Sequence, residues 1–115
     1  MSNVGLNRAV LIGEVERVEY RIGPSGKPRL WFKLHSEEAT VDEEGQERVR
    51  HAWNSVVVWG KRAEGLRLHI QEGTKLAIEG RLVTSSWEKG GQRRYRTEVH
   101  AASVVFLDRH PSAAA

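Results

Sequence analysis

A chain of 115 residues with 39% hydrophobic and 29% charged residues has material for one modest core, and a single domain is expected. It contains no cysteine, which removes disulfide frameworks, thiolate zinc sites and cysteine nucleophiles, and no stretch approaches the roughly 18 apolar residues of a membrane span. The net charge of +3 conceals a split: six of the fifteen acids lie between positions 37 and 47 with no Lys or Arg among them, leaving eighteen cations against nine acids elsewhere. A basic body beside an acidic segment suits a polyanionic partner such as nucleic acid.

In chain order, the segment from Leu6 to Val18 sets Ala9, Leu11, Gly13 and Val15 against Val10, Ile12, Glu14 and Glu16. This alternation predicts a strand that is apolar on both faces at its start, buried early, and curved at Gly13. Gly23-Pro24-Ser25-Gly26 is a turn signal. Between Pro28 and Ser36, Leu30, Phe32 and Leu34 are expected in a core, with Arg29, Trp31, Lys33 and His35 on the opposite face.

Residues 37–48 read as a polar, acidic loop. A third strand is predicted over Val49–Trp59, with Trp53, Ser55, Val57 and Trp59 on one face and Asn54, Val56 and Val58 on the other. Gly60 ends it, and Ala63, Leu66 and Ile70 follow helical spacing towards a stop at Gly73. Two long strands, Lys75–Ser86 and Arg93–Leu107, flank the turn around Gly90 and Gly91. Residues 109–115 are expected to be a short disordered tail after a single domain over 1–108. Five strands with one short helix between the third and fourth describe an all-β chain in the element order of the OB-fold, a five-stranded Greek-key barrel.

Four tryptophans are present, and three keep cationic company: Trp31 between Arg29 and Lys33, Trp59 before Lys61 and Arg62, and Trp87 near Lys89, Arg93 and Arg94. Single-stranded nucleic acid requires both elements, cations that follow phosphates and flat faces on which any base stacks. Candidate stacking residues are therefore Trp53, Trp59, Trp87, Trp31 and Tyr95. Candidate phosphate contacts are Arg29, Lys33, Arg50, Lys61, Arg62, Lys89, Arg93 and Arg94. Catalysis is not expected: the histidines at 35, 51, 69, 100 and 110 lack metal-ligand spacing, no acid–base carboxylate pair stands out, and GPSGK is too short for a phosphate loop. No cofactor and no metal are expected.

These residues carry a family resemblance. LNRAVLIGEV, AWNSVVVWGKRAEGL, EGTKLAIEGRL and the W-x-x-x-G-x-x-R-Y-x-T-E-V pattern from Trp87 to Val99, in that order, resemble bacterial single-stranded-DNA-binding proteins. The resemblance implies an OB-fold that wraps single-stranded DNA, usually as a homotetramer, during replication, recombination and repair in the cytoplasm, associated with the nucleoid. It aligns Trp53, Trp59 and Trp87 with the family's stacking aromatics. One further aromatic of that set is replaced by Ser36-Glu37-Glu38-Ala39, and Trp31 stands as its substitute or as a subunit-interface residue. DRHPSAAA does not match the acidic tip through which such proteins recruit partners, which leaves two readings: a tail-less relative that only coats DNA, or the binding domain alone. The alternatives are a dimeric primosome-assembly protein of the PriB type and an RNA-binding OB module.

Overall fold

The computed structural model describes residues 3–107; the expected tail at 109–115 lies outside the described residues. Five strands and one helix follow in the order β1 (Ala9–Ile22), β2 (Pro28–Val41), β3 (Glu47–Trp59), α1 (Lys61–Leu66), β4 (Lys75–Lys89) and β5 (Gln92–Phe106). The strands close into a barrel ordered β1-β2-β3-β5-β4, antiparallel throughout except where β3 meets β5 in parallel. Closure leaves no open sheet edge around the barrel.

Period-two alternation produces this arrangement. Leu30, Phe32 and Leu34 of β2, Val56 and Val58 of β3, Leu76 and Ile78 of β4, Val15 of β1 and Val99 of β5 all turn inward and form one buried cluster. Ala63 and Ile70 join that cluster. The helical face is therefore as the spacing predicts, but the helix itself is a single short element with turns continuing to Gly73. Gly65, inside it, weakens helical propensity, and Arg67 already serves as its C-cap.

Three hairpins set the register. Gly26 N–H donates to the Gly23 carbonyl (2.8 Å) and Gly45 N–H to the Asp42 carbonyl (3.0 Å), and both Gly26 and Gly45 adopt positive φ. The Lys89–Gln92 hairpin places Gly90 and Gly91 at φ of 61° and 78°, the signature of a tight type I′ turn. Asp42 locks its own loop: Oδ1 accepts from Glu44 and Gln46 N–H, and Oδ2 from Arg48. The Gln46 and Arg48 hydrogen bonds hold its carboxyl below the usual range.

The structure differs from the sequence reading in two further places. The acidic stretch is mostly strand: Glu37 and Glu38 belong to β2, Glu47 to β3, and only 42–46 form the loop. This hairpin extends beyond the core, so neither face buries an apolar stripe that sequence periodicity could register. In β1, Val10 and Ile12 stand 64% and 62% exposed, because only the face carrying Leu11 and Val15 turns inward. Gly13 marks a close approach of β1 to β2, where a Cβ would lie 2.4 Å from the His35 carbonyl oxygen. The register shift falls slightly later, between Val15 and Arg17, leaving Glu16 as the unpaired bulge residue.

Candidate functional site

The outward positions of the barrel form rows across the strands. Arg29 pairs with Trp59, Trp31 with Val57, Lys33 with Ser55, and His35 with Trp53 between β2 and β3. On β1 the same face continues with Arg17 opposite Lys33 and Glu19 opposite Trp31. On the far side, Val57 pairs with His100 of β5, and the β5–β4 rows continue as Glu98 with Val83, Arg96 with Ser85, and Arg94 with Trp87. All four tryptophans therefore share one outer face.

Cations lie over three of these indoles. Lys27 Nζ and Arg29 Cζ stand 5.1 and 5.6 Å from the Trp59 ring centre. Arg17 and Lys33 stand 5.8 and 5.9 Å from that of Trp31, and Arg96 5.4 Å from that of Trp87. At such distances the ring quadrupole attracts the charge and fixes the cation beside an exposed plane. Trp59 and Trp87 are each 38% exposed, and Trp53 is 53% exposed.

Trp53 is held differently. Its Nε1 donates to Glu16 Oε2 at 2.8 Å, and its indole lies nearly parallel to His35, ring centres 4.9 Å apart. His35 Nε2 and His51 Nδ1 share a 2.8 Å hydrogen bond, with ring centres 5.0 Å apart and planes 13° apart. Those values together require the imidazoles to meet edge to edge in one plane. The pair backs one face of the indole and leaves the other open.

Glu98 is the one buried carboxylate among the described residues, 6% exposed, and it gathers cations. Arg29 Nη2 donates to Oε2 at 3.1 Å, while Arg96 and His100 approach within 3.9 Å. His100 has its pKa lowered, first by burial and then by Arg81 and Arg29, against the opposing pull of Glu98.

The structure brings together Trp31, Trp53, Trp59, Trp87, Arg29, Lys33 and Arg94, but separates other candidates. Tyr95 and Arg93 lie on the reverse face of the β4–β5 hairpin, since Ser86 pairs with Tyr95 and Glu88 with Arg93. Arg93 is moreover engaged by Ser86 Oγ (3.0 Å) and Glu88 (3.4 Å). Arg50 sits opposite Glu38 on the reverse face of the β2–β3 hairpin. Lys61 and Arg62 belong to α1, where Arg62 lines a depression with Leu66, His69 and Val104 rather than the outer row. Lys89 is exposed at the hairpin tip. Sequence reasoning missed Arg17, Lys27 and Arg96 as partners of the indoles, and Glu16 and Glu98 as their anchors. Only the strand register, a long-range property, reveals them.

A closed β1-β2-β3-β5-β4 barrel with one helix between its third and fourth strands is an OB-fold, and this one carries an aromatic and cationic outer face. The model of the Single-strand binding protein family matches residues 6–107. The chain belongs to that family. It is 37% identical over 106 residues to single-stranded DNA-binding protein 1 of Chlorobaculum tepidum and 32% identical over 108 residues to a single-stranded DNA-binding protein of Helicobacter hepaticus. These matches cover 90% and 92% of the chain but 65% and 64% of the relatives' own lengths. Among solved structures, the wild-type single-stranded DNA binding protein of Thermus aquaticus superposes with a TM-score of 0.79 at 33% identity, covering 90% of this chain and 51% of that one. A Plasmodium falciparum SSB in complex with ssDNA shares the fold at 24% identity, with a TM-score of 0.82 over 94% of this chain and all of that one.

Proposed function

We propose that the chain binds single-stranded DNA without reading its sequence. The observation that carries this reading is the alternation of part-exposed indoles with guanidinium and ammonium groups along one continuous outer face. Trp53, Trp59, Trp87 and Trp31 supply stacking planes, while Arg29, Lys33, Arg94, Arg17, Lys27 and Arg96 follow the phosphates. Stacking is denied to the bases of a closed duplex, so the combination selects unpaired strands. The role is binding and protection in replication, recombination and repair, in the cytoplasm, rather than catalysis.

The same reading includes self-association into a homo-oligomer, a tetramer by family habit. It is supported by an apolar stripe on the barrel exterior, where Ile12 pairs with Ala77 and Ala77 with Val105, beside exposed Val10. Among the described residues, no helix is long and apolar enough to cross a membrane.

Titration with dT oligomers tests the reading. Tryptophan emission should be quenched on binding, affinity should fall as salt rises, and a duplex of equal length should compete poorly. Tight duplex binding without quenching would refute it, and an rU oligomer of the same length measures any preference for the sugar.

A further inference from the structure

His35 and His51 lie 16 residues apart, and the β2–β3 register is what assembles them: Glu37 is the cross-strand partner of His51, and His35 that of Trp53. We propose that His35, His51 and Glu37 form a binding site for a borderline divalent transition-metal ion, with Zn²⁺ as its representative. The inference does not depend on DNA binding.

Three observations converge. One ligating atom from each of the three side chains lies within 4.8 Å of the others, so the exposed Glu37 carboxylate closes by at most ~1.5 Å to reach the ~3.3 Å ligand spacing of a tetrahedral ion. Two imidazoles and a carboxylate, with no cluster of hard oxygen donors, suit zinc, nickel or copper rather than magnesium or calcium. The third is the contact behind the ligand: His35 Nδ1 faces Glu16 Oε2 at 3.4 Å. A carboxylate on the Nδ1 side is the partner that ordinarily orients a histidine whose Nε2 carries the metal.

The ligands reach the ion by side-chain movement alone. The 2.8 Å separation of His35 Nε2 and His51 Nδ1 is that of a shared proton. Two nitrogens on a tetrahedral zinc at about 2.0–2.1 Å lie ~3.3 Å apart, so the cation replaces the proton as the rings part by about half an ångström and each turns by roughly 35° to bring its lone pair onto the ion. His51 and Glu37 are both exposed, which gives the ion an entry path and leaves its fourth position open to solvent. Once bound, the ion would sit beside the ring pair that backs Trp53, adding positive charge next to an open aromatic plane.

The test uses untagged full-length protein and Zn²⁺ alone, followed by titration calorimetry and by the imidazole resonances of the histidines. Saturable binding should shift His35 and His51 while leaving His69 and His100 in place. His51→Ala and Glu37→Gln should each weaken it by at least about tenfold, whereas His69→Ala should not. Glu37 is exposed, so its variant remains informative if His51→Ala fails to fold, and circular dichroism without metal reports on both. Unaltered affinity in both variants, shifts confined to other histidines, or no saturation by about 1 mM Zn²⁺ would each overturn the proposal.

Discussion

Replacing Glu98 by glutamine keeps the shape of the most deeply buried acid on the outer face and removes its charge. Its side chain is only 7% exposed and accepts from Arg29, itself 26% exposed, at 3.1 Å, whereas Arg96 at 3.9 Å is more than half exposed and adds little. A charge-assisted hydrogen bond of this kind contributes about 1.5–3 kcal/mol and a neutral amide substitute about 0.5–1.5, so Glu98→Gln should cost about 1–2 kcal/mol of stability. Urea unfolding at fixed protein concentration reads this directly. DNA binding should move the opposite way. Arg29, which Glu98 partly neutralises, then presents its full charge to a phosphate, and each added full contact steepens the dependence of log affinity on log salt by about 0.7 for single strands. Affinity for dT oligomers at low salt should therefore rise as stability falls. An unchanged urea midpoint together with an unchanged salt slope would refute the reasoning, since Glu98 would then be holding nothing that DNA can use.

Anisotropy of a labelled dT oligomer should register losses of about 1–3 kcal/mol for Trp59→Ala and for Trp87→Ala. In the same assay Arg94→Ala should reduce the salt slope while Arg93→Ala, on the reverse face and engaged by Glu88, should not; equal effects would contradict the two-faced hairpin. His100 has its pKa lowered from 6.5, so just below that value the unfolded chain binds more protons at this group than the folded one, and stability rises with pH in that window. Acidification from about pH 8 to about pH 5.5 should thus lower the urea midpoint less in His100→Gln than in the parent, and parallel profiles would dismiss the contribution. Gly80→Ala should destabilise by about 1–3 kcal/mol or more in thermal or urea unfolding, because the new Cβ would lie 2.1 Å from the His100 carbonyl oxygen and the β4–β5 bulge would have to open.

Much of the barrel is legible in the sequence because its physics is local. Leu30, Phe32 and Leu34 alternate with polar neighbours, and Gly26, Gly90 and Gly91 stand where positive φ is needed. The hairpin tips are less legible, because strands extending past the core lose the apolar alternation that identifies them: Glu37 and Glu38 look like loop and are strand. The site divides along the same line. Three indoles announce themselves by neighbouring cations in sequence, yet Arg93 and Arg94, adjacent in the chain, face opposite ways, and Arg17, inward by strict alternation, stands over Trp31 because the bulge at Glu16 brings it to the outer face. Pairings between distant strands depend on register, and no residue-by-residue pattern encodes that.

Val57 points outward between Val56 and Val58 of the core, yet it is 1% exposed, with Trp31 and His100 as its cross-strand partners. The outer surface therefore possesses a small apolar underlayer of its own, sealed before any ligand arrives. Ordering the surrounding rings is then a cost met during folding rather than at association. On the proposed function, a base landing there would meet a platform already set, and affinity should be limited more by how the flexible strand threads between platforms than by rearrangement of the protein.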